Sequence, residues 1–192
     1  MEALGAHKVQ TAQILLSPDD TETRRKHINA RTTMLTLLQL GAVPVVNEND
    51  TVATAEIRFG DNDRLAARVA AMIGADILVL LSDVDGLYTA NPNSDSTATH
   101  LANVPQITPD ILAMAGSANA AYASGGMVTK LEAARIATSA GCQMIICNGQ
   151  NPGPLARLQT GAKHTLFTAM QSPHTARKQW IAGSLTPKGK IC

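Results

Sequence analysis

Ile77-Leu-Val-Leu-Leu81 is the most apolar run of the sequence, and the polar segment Ser82-Asp-Val-Asp-Gly-Leu-Tyr-Thr-Ala-Asn-Pro92 follows it directly. A short, continuous apolar run that ends in turn-forming residues is typical of a strand buried on both faces. Residues 43–47 and 143–147 form similar runs, and segments with helical spacing separate the three. Strands that alternate with helices predict an α/β protein, here a three-layer α/β/α sandwich with a mainly parallel sheet.

The helices are marked by capping residues and by glycines. Residues 17–21 can cap a helix that Gly41 ends, and its apolar positions recur at helical spacing, at Ile28, Met34, Leu35, Leu37 and Leu38. An Ala-rich helix is predicted from the polar cap at residues 60–63 to Gly74, and another over residues 127–140. Weaker patterns predict helices at residues 108–114 and 155–159, and strands at residues 54–58, near Leu166 and near Trp180.

Composition excludes several classes of protein. The 192 residues carry a formal net charge of +1 and 3% aromatic residues, which argues against a nucleic-acid partner. No uncharged apolar run approaches the ~20 residues of a membrane-spanning helix, so we expect no membrane association. The odd number of cysteines, Cys142, Cys147 and Cys192, and the lack of a secretory signal favour the cytoplasm.

Four polar loops are expected at the carboxyl ends of the strands, where ligands bind in parallel sheets. They span residues 47–51, 60–63, 82–92 and 124–130. Their acidic residues are Glu48, Asp50, Asp61, Asp63, Asp83 and Asp85. An edge this acidic would repel an anionic substrate unless Mg²⁺ or lysines neutralised it, so the sequence implies cations at this site.

The segment Ser124-Gly-Gly-Met-Val-Thr-Lys130 has the features of a phosphate site at a helix N-terminus. Free amide groups, the helix dipole and a lysine would converge there, although the spacing is not that of a Walker loop. An ordinary glycine-rich helix entry with an exposed lysine explains the same residues equally well. The cluster Asp61-Asn-Asp63 is likewise open to a second interpretation, as a solvated helix cap.

Other reactive residue types indicate no further site. The five histidines show no close pairing of the kind that zinc requires, and a surface position explains them better. Cys142 and Cys147 lie on or beside a predicted buried strand, where packing is their expected role.

Four ordered segments closely resemble the glutamate 5-kinase branch of the amino-acid kinase superfamily: residues 43–50, 56–63, 82–92 and 124–130. The resemblance implies an incomplete amino-acid kinase fold. It also implies ATP-dependent phosphorylation of the L-glutamate γ-carboxylate to L-glutamyl 5-phosphate, at the start of proline synthesis. A kinase of the superfamily that acts on another acid or on a nucleotide fits less well, because the Asn-Glu-Asn-Asp element at residues 47–50 is typical of the glutamate branch.

The resemblance also implies roles for individual residues. Asp50 and Asn62 would hold glutamate, while Asp61 and Asp63 would organise the catalytic lysines. The residues expected to contact ATP are Ser82 and Asp83 in the nucleotide pocket, and Ser124, Gly125, Gly126, Met127, Val128, Thr129 and Lys130 around the phosphates. Lys130 would also neutralise charge on the transferred phosphoryl group. Mg²⁺ would accompany ATP, and no residue of the chain is assigned as a metal ligand.

The chain departs from the family pattern at several points. We expect residues 1–183 to be the C-terminal part of the kinase domain, and residues 184–192 to be a linker stub toward an absent PUA domain. The family's first strand with a catalytic lysine, its glycine-rich phosphate loop and a glutamate-binding serine are not found, and Ala123 and Ser124 stand where the family has Gly and Thr. A catalytically silent chain that binds nucleotide or partner subunits is therefore the alternative. The family also implies a homo-oligomer, and hand-off of product to glutamyl phosphate reductase is a further hypothesis.

Overall fold

The computed structural model describes residues 2–49, 62–115 and 126–169. Seven helices and eight strands lie within those ranges. They are α1 (Glu2–Gly5), β1 (Thr11–Leu16), α2 (Pro18–Glu22), α3 (Arg24–Gln39), β2 (Val43–Glu48), α4 (Asn62–Ile73), β3 (Ile77–Ser82), β4 (Leu87–Tyr88), β5 (His100–Leu101), β6 (Asn103–Val104), α5 (Pro109–Met114), α6 (Met127–Ser139), β7 (Gln143–Asn148), α7 (Pro154–Gln159) and β8 (His164–Phe167).

The strands form two parallel units and a small hairpin. β1 and β2 pair in parallel, and so do β3 and β7 in a four-stranded sheet with the order β3-β7-β8-β6. Within that sheet β8 runs antiparallel to β7 and parallel to β6, and β4 and β5 form the hairpin. Alternating helices and mostly parallel pairs confirm the predicted α/β class.

The main core lies between the four-stranded sheet and the helices α4 and α6. Its largest fully buried side chains include Phe167, Leu131, Met144 and Ile146. Small residues of the two helices, among them Ala67, Ala133, Ala134 and Ala137, are fully buried in the same cluster. Because alanine side chains are short, the two helix backbones can approach closely, which fixes the N-terminus of α4 relative to that of α6.

A second and much smaller core supports β1 and β2. Only Leu16 and Leu65 are buried in this cluster, with Ile14, Ala30, Val46 and Val69 partly buried around them. Leu65 and Val69 belong to α4, so this helix contributes to both cores.

The predicted helix that ends at Gly41 is confirmed as α3, although the residues expected to cap it fold differently. Residues 18–22 form the short helix α2, and Thr23, in an extended conformation with φ −75° and ψ 117°, separates α2 from α3. The Asp20 carboxylate accepts hydrogen bonds from the backbone N–H and the hydroxyl of Ser17, and this capping box marks the start of α2.

Three other differences from the sequence-based prediction concern short strands. β1 was not predicted, since Gln13 interrupts a short apolar run, and parallel pairing with β2 stabilises it. The segment after β3 contains the β4–β5 hairpin in addition to a loop, and β6 was also not predicted. The predicted strands at residues 54–58 and near Trp180, and the predicted linker at residues 184–192, lie outside the described residues.

Candidate functional site

The first turns of α4 and α6 meet through an ion pair between Lys130 and Asp63. Lys130 Nζ lies 3.0 Å from Asp63 Oδ2, and the two side chains are 13% and 19% exposed. The long helices bring together residues that are 67 positions apart in the sequence. Partial burial weakens solvent screening, so this pair is more firmly held than an ion pair in open solvent. The ammonium group is thereby fixed at the N-terminal end of α6.

Gly126 is the N-cap residue of α6. It has φ +118°, and a Cβ atom built on it would meet no atom of the described residues within 4 Å. The Thr129 hydroxyl lies 2.9 Å from the Gly126 carbonyl oxygen, and donates a hydrogen bond to it. The first N–H groups of any helix lack intrahelical acceptors, so this end of α6 offers amide donors beside the Lys130 ammonium.

A second ion pair ties the same two helices together. Arg64, in the first turn of α4, donates from Nε and from a terminal nitrogen to the Glu132 carboxylate of α6, with Nε at 2.6 Å. Both side chains are partly exposed, at 42% and 34%. Arg64 directly follows Asp63, and Glu132 is two residues after Lys130. The pair therefore helps to fix the positions of Asp63 and Lys130 relative to each other.

The loop after β3 brings two further predicted residues to this region. The Ser82 hydroxyl donates to Asp83 Oδ1 at 2.9 Å, and this bond is the main reason why the pKa of Asp83 is lowered. The charge of Lys130 also lowers the pKa of Asp83. Lys130 therefore acts electrostatically on a loop that follows a different strand, as the proposed convergence of the loops requires.

Asn148 and Gly149 at the end of β7 were not identified from the sequence. Asn148 Nδ2 donates to the Asp83 carbonyl oxygen at 3.3 Å, and the Gly149 N–H donates to the Ser82 carbonyl oxygen at 2.8 Å. A Cβ atom on Gly149 would lie 2.7 Å from Cβ of Leu81, so a side chain here would push the β3 and β7 ends apart. The only signal in the sequence was the position of these residues directly after a predicted strand.

A polar cluster surrounds the β4–β5 hairpin. The Tyr88 hydroxyl donates to the Asp85 carboxylate at 3.0 Å and accepts a hydrogen bond from Lys163 Nζ at 3.0 Å. The ring of His100 contacts Tyr88 edge to face, and burial lowers the pKa of His100. The fully buried Thr165 accepts a hydrogen bond from the Leu87 N–H and donates to the Leu101 carbonyl oxygen. These bonds fasten the segment after Asp83 to the sheet.

The remaining predicted residues divide into two groups. Asn62 is exposed at the start of α4, beside Asp63, and lines a groove between β2 and β3. Met127 and Val128 form the first turn of α6 with Thr129 and Lys130. The others, Asp50, Asp61, Ser124 and Gly125, lie outside the described residues.

The described residues do not contain a preformed metal centre. Residues 2–49, 62–115 and 126–169 include no group of three or more His, Cys, Asp or Glu residues that could hold a metal ion. Cys142 and Cys147 are buried free thiols, and burial raises the pKa of Cys142 to about 11. A thiol that stays protonated near neutral pH is a poor nucleophile, which agrees with a packing role. No helix in the same ranges is long and apolar enough to cross a membrane.

Comparison with known proteins decides the family. The model of the "Amino acid kinase family" matches residues 1–148. The chain belongs to the amino acid kinase family. A glutamate 5-kinase of Gluconobacter oxydans is 60% identical over 189 residues, which are 98% of this chain and 50% of that protein. A glutamate 5-kinase of Paramagnetospirillum magneticum is 58% identical, over 99% of this chain and 51% of that protein. The chain thus spans about half the length of the curated relatives it matches.

Solved structures of the amino acid kinase fold agree with the architecture. The UMP kinase of Ureaplasma parvum superposes with a TM-score of 0.58 at 15% identity, over 87% of this chain and 63% of that one. An isopentenyl phosphate kinase of T. acidophilum superposes with a TM-score of 0.57 at 17% identity, over 86% of this chain and 63% of that one. At these identities the likeness supports the fold alone.

Proposed function

We propose that the chain is the nucleotide-side part of a glutamate 5-kinase, which transfers the γ-phosphoryl group of ATP to the γ-carboxylate of L-glutamate. The product would be L-glutamyl 5-phosphate, at the start of proline synthesis. The shared name of the relatives supports this substrate and reaction. The structural observation that carries the proposal is the Lys130–Asp63 pair, held at the open N-terminus of α6.

The reaction itself requires little acid–base chemistry. A glutamate γ-carboxylate has a reference pKa of about 4.3, so at neutral pH it is already an anionic nucleophile. The main barrier is electrostatic, because a carboxylate must approach the negatively charged γ-phosphate of ATP. Catalysis of such phosphoryl transfers depends mainly on positioning and on neutralisation of charge. The acidic residues of the site are therefore assigned to holding cations and substrate, with no role as general bases.

Lys130 is the cation assigned to this task. Asp63 keeps its ammonium group at the start of α6, where the amide groups of the first turn lack intrahelical acceptors. Positive charge that is positioned before the reaction needs no reorganisation when negative charge develops. In this proposal Asp63 is a positioning residue for Lys130, and Asp50 and Asn62 bind the glutamate.

The residues at α6 fit a nucleotide phosphate, since they combine amide donors, a glycine at the helix start and an ammonium group. Ser82 and Asp83 would line the adjoining nucleotide pocket, and Ser124 and Gly125 would contact the phosphates. Mg²⁺, bound to the ATP phosphates, would supply additional charge neutralisation. No residue of the chain is assigned as its ligand.

Several wider assignments belong to the same proposal. Residues 1–183 would be the C-terminal part of the kinase domain, and residues 184–192 would lead toward a PUA domain. The complete enzyme would be a cytoplasmic homo-oligomer, and it would pass its labile acyl phosphate to glutamyl phosphate reductase. A pull-down that detects no association between the two enzymes would contradict this hand-off.

Trapping of the product tests the proposal directly. A version of the chain extended to the length of its relatives is supplied with ATP, Mg²⁺, L-glutamate and hydroxylamine, which converts an acyl phosphate to a hydroxamate. We expect hydroxamate that depends on both ATP and glutamate, with L-aspartate as the control substrate. A folded, ATP-binding protein that yields no hydroxamate, or that prefers aspartate, would refute the proposed reaction.

A catalytically silent form is the second candidate for the 192-residue chain by itself. The groove between β2 and β3 favours it, because the sheet is interrupted beside Asn62. In this case the chain would bind ATP without forming hydroxamate. Hydroxamate formation by the 192-residue chain alone would exclude the silent form.

A further inference from the structure

Thr165 in β8 is a polar residue with no exposed surface. No other polar side chain is buried to this degree in the part of the chain that the structure describes. Thr165 pairs with Ile146 in the sheet and is surrounded by apolar core residues such as Phe167. Burial of a hydroxyl group costs free energy unless the group forms hydrogen bonds, and valine would have nearly the same shape without this cost. The hydroxyl therefore points to a task that an apolar side chain cannot perform.

The Thr165 hydroxyl connects β8 to both strands of the β4–β5 hairpin. Leu87 and Leu101 lie opposite each other in this hairpin. Thr165 Oγ1 accepts a hydrogen bond from the Leu87 N–H at 2.7 Å and donates one to the Leu101 carbonyl oxygen at 2.6 Å. A hydroxyl group has one proton and two lone pairs, so the donor of this group is fully used. The bond to Leu87 is buried, and water does not compete with it.

Gly86 packs directly against the same hydroxyl. A Cβ atom at Gly86 would lie 2.5 Å from Thr165 Oγ1 and 2.6 Å from His100 Nε2, which is too close for any side chain. His100 Nε2 itself lies 3.4 Å from Thr165 Oγ1. Thr165 thus fixes the point at which the chain passes from the loop after β3 into β4.

This loop carries two of the residues assigned to ATP. β3 ends at Ser82 and β4 begins at Leu87, so only residues 83–86 separate them. At the β3 end, the Ser82 carbonyl oxygen accepts a hydrogen bond from Gly149, and the Asp83 carbonyl oxygen accepts an exposed one from Asn148. At the other end the buried anchor is the hydroxyl described above. A segment this short has few conformations once both of its ends are held.

We propose that Thr165 is a positioning residue for ATP, whose hydroxyl holds residues 83–87 in the conformation in which Ser82 and Asp83 contact the nucleotide. Because its side chain is fully buried, Thr165 does not contact ATP itself. This inference rests on the proposed function, which assigns Ser82 and Asp83 to the nucleotide pocket.

Loss of the hydroxyl should weaken ATP binding through the loop alone. The Leu87 N–H and the Leu101 carbonyl oxygen would lose a buried partner, and the loop would then adopt other conformations. ATP would bind only the fraction of molecules with the competent loop, and its apparent affinity would fall by that fraction. Asn62 and Lys130 begin other elements, α4 and α6, so glutamate binding and phosphoryl transfer should change little.

Substitution of Thr165 in a chain extended to the length of the relatives tests this role. Thr165→Val keeps the shape of the side chain and removes the hydroxyl. We expect the KM for ATP to rise roughly tenfold, with kcat and the KM for glutamate within about twofold of the wild type. Steady-state hydroxamate assays give these constants, and titration calorimetry gives the Kd for ATP.

A matched pair of variants isolates the hydroxyl from the volume of the side chain. Thr165→Ser and Thr165→Ala both remove the methyl group, and only the serine keeps the hydroxyl. The serine variant should bind ATP like the wild type, the alanine variant should bind it as weakly as the valine variant, and this pair decides if Thr165→Val does not fold. Thr138→Val is the control, because it removes a hydroxyl that bonds to Ala134 within α6, and it should leave the Kd for ATP unchanged. Circular dichroism verifies that each variant is folded.

Hydrogen exchange without ATP reports on the loop itself. Mass spectrometry should show roughly tenfold faster exchange of residues 83–88 in Thr165→Val, with exchange in β7 unchanged. The proposal is overturned if this segment exchanges as in the wild type, or if the valine and alanine variants keep the wild-type Kd for ATP. A serine variant as weak as the alanine variant, or a KM for glutamate that rises in step with that for ATP, would also overturn it.

Failure of the proposed function would be seen separately. A wild-type protein that binds ATP but forms no hydroxamate would refute the proposed reaction, and the Kd for ATP of the variants would still decide the role of Thr165. A folded wild-type protein that binds no ATP would overturn both.

Discussion

The two parallel units of this fold differ sharply in how well they are enclosed. The unit around β3 and β7 is covered by α4 and α6, and its core contains thirteen buried residues, with Phe167, Leu131 and Ile146 fully inaccessible. The unit of β1 and β2 contributes to a core in which Leu16 and Leu65 are the two buried members among the residues that the structure describes. Leu15, Val43 and Val45 in the same strands are 40–45% exposed. Buried apolar area stabilises a fold roughly in proportion to its size, so the first unit is expected to be much the more stable.

The difference in packing between the two units bears on the proposed binding of ATP and of glutamate. The described residues among those assigned to ATP lie on the well-packed unit, where α6 and the β3 end hold Lys130 and Asp83 in place. Asn62, which is assigned to glutamate, is the first residue of α4 and lines the groove, whereas Asp50 lies outside the described residues. Nucleotide binding should therefore survive changes that abolish phosphoryl transfer.

The largest expected effect is on stability, and it tests the difference between the two cores. Leu131→Ala should lower the free energy of unfolding by about 2–5 kcal/mol, because it leaves a cavity in the main core. Leu15→Ala is the matched control on β1, and should cost less than about 0.5 kcal/mol because its side chain is already 45% exposed. Urea unfolding followed by circular dichroism measures both. Equal losses would show that the two units are packed alike.

The second prediction concerns Lys130 in a chain extended to the length of the relatives. Lys130→Ala should lower kcat by roughly 10²-fold, which is typical of the loss of one positioned electrostatic contact. Lys26→Ala removes an exposed lysine that pairs with Asp19 on the β1–β2 side, and should leave turnover unchanged. Steady-state hydroxamate assays compare the two variants. Unchanged turnover of the Lys130 variant would refute its assigned role.

The third prediction compares the stability cost of substituting two glycines with positive φ, and its expected effect is smaller. Gly86→Ala would place a Cβ atom 2.5 Å from Thr165 Oγ1 and 2.6 Å from His100 Nε2, in addition to straining a backbone with φ +155°. The expected cost is about 1–3 kcal/mol. Gly41→Ala on the other unit has φ +77° but meets no atom within 4 Å, so only its backbone strain remains. Thermal unfolding should show the larger loss for Gly86→Ala, and the reverse order would contradict the tight packing of the hairpin.

The smallest expected effect concerns the bridge between α4 and α6. A double-mutant cycle with Arg64→Ala and Glu132→Ala should give a coupling energy of about 0.2–1 kcal/mol, since both side chains are partly exposed to solvent. Raising the salt concentration should reduce this coupling further. A coupling energy of zero in urea unfolding would show that the Arg64–Glu132 pair does not help to hold the two helices together.

Local patterns in the sequence were sufficient for most regular elements of the well-packed unit. Continuous apolar runs predicted β3 and β7, and glycines predicted the ends of α4 and α6. These signals are reliable because strand burial and helix termination depend on neighbouring residues in the sequence. The resemblance of four motifs was sufficient to identify the family, and the match of the family model confirmed it. Residues 18–22 were expected only to cap the helix that ends at Gly41, and the separate helix α2 was not predicted, because the apolar spacing begins at Ile28 and says nothing about the residues before it.

The sequence by itself determined the α/β class, the helix that carries Lys130, and the presence of acidic loops after the strands. Only the tertiary structure decided that Lys130 pairs with Asp63, that Asn148 supports the loop at Asp83, and that a groove separates β2 from β3. Propensity and hydrophobic period act over a few neighbouring residues, whereas these contacts join residues more than 60 positions apart. Their distances depend on how the strands are ordered and how the helices pack, and no local pattern encodes that.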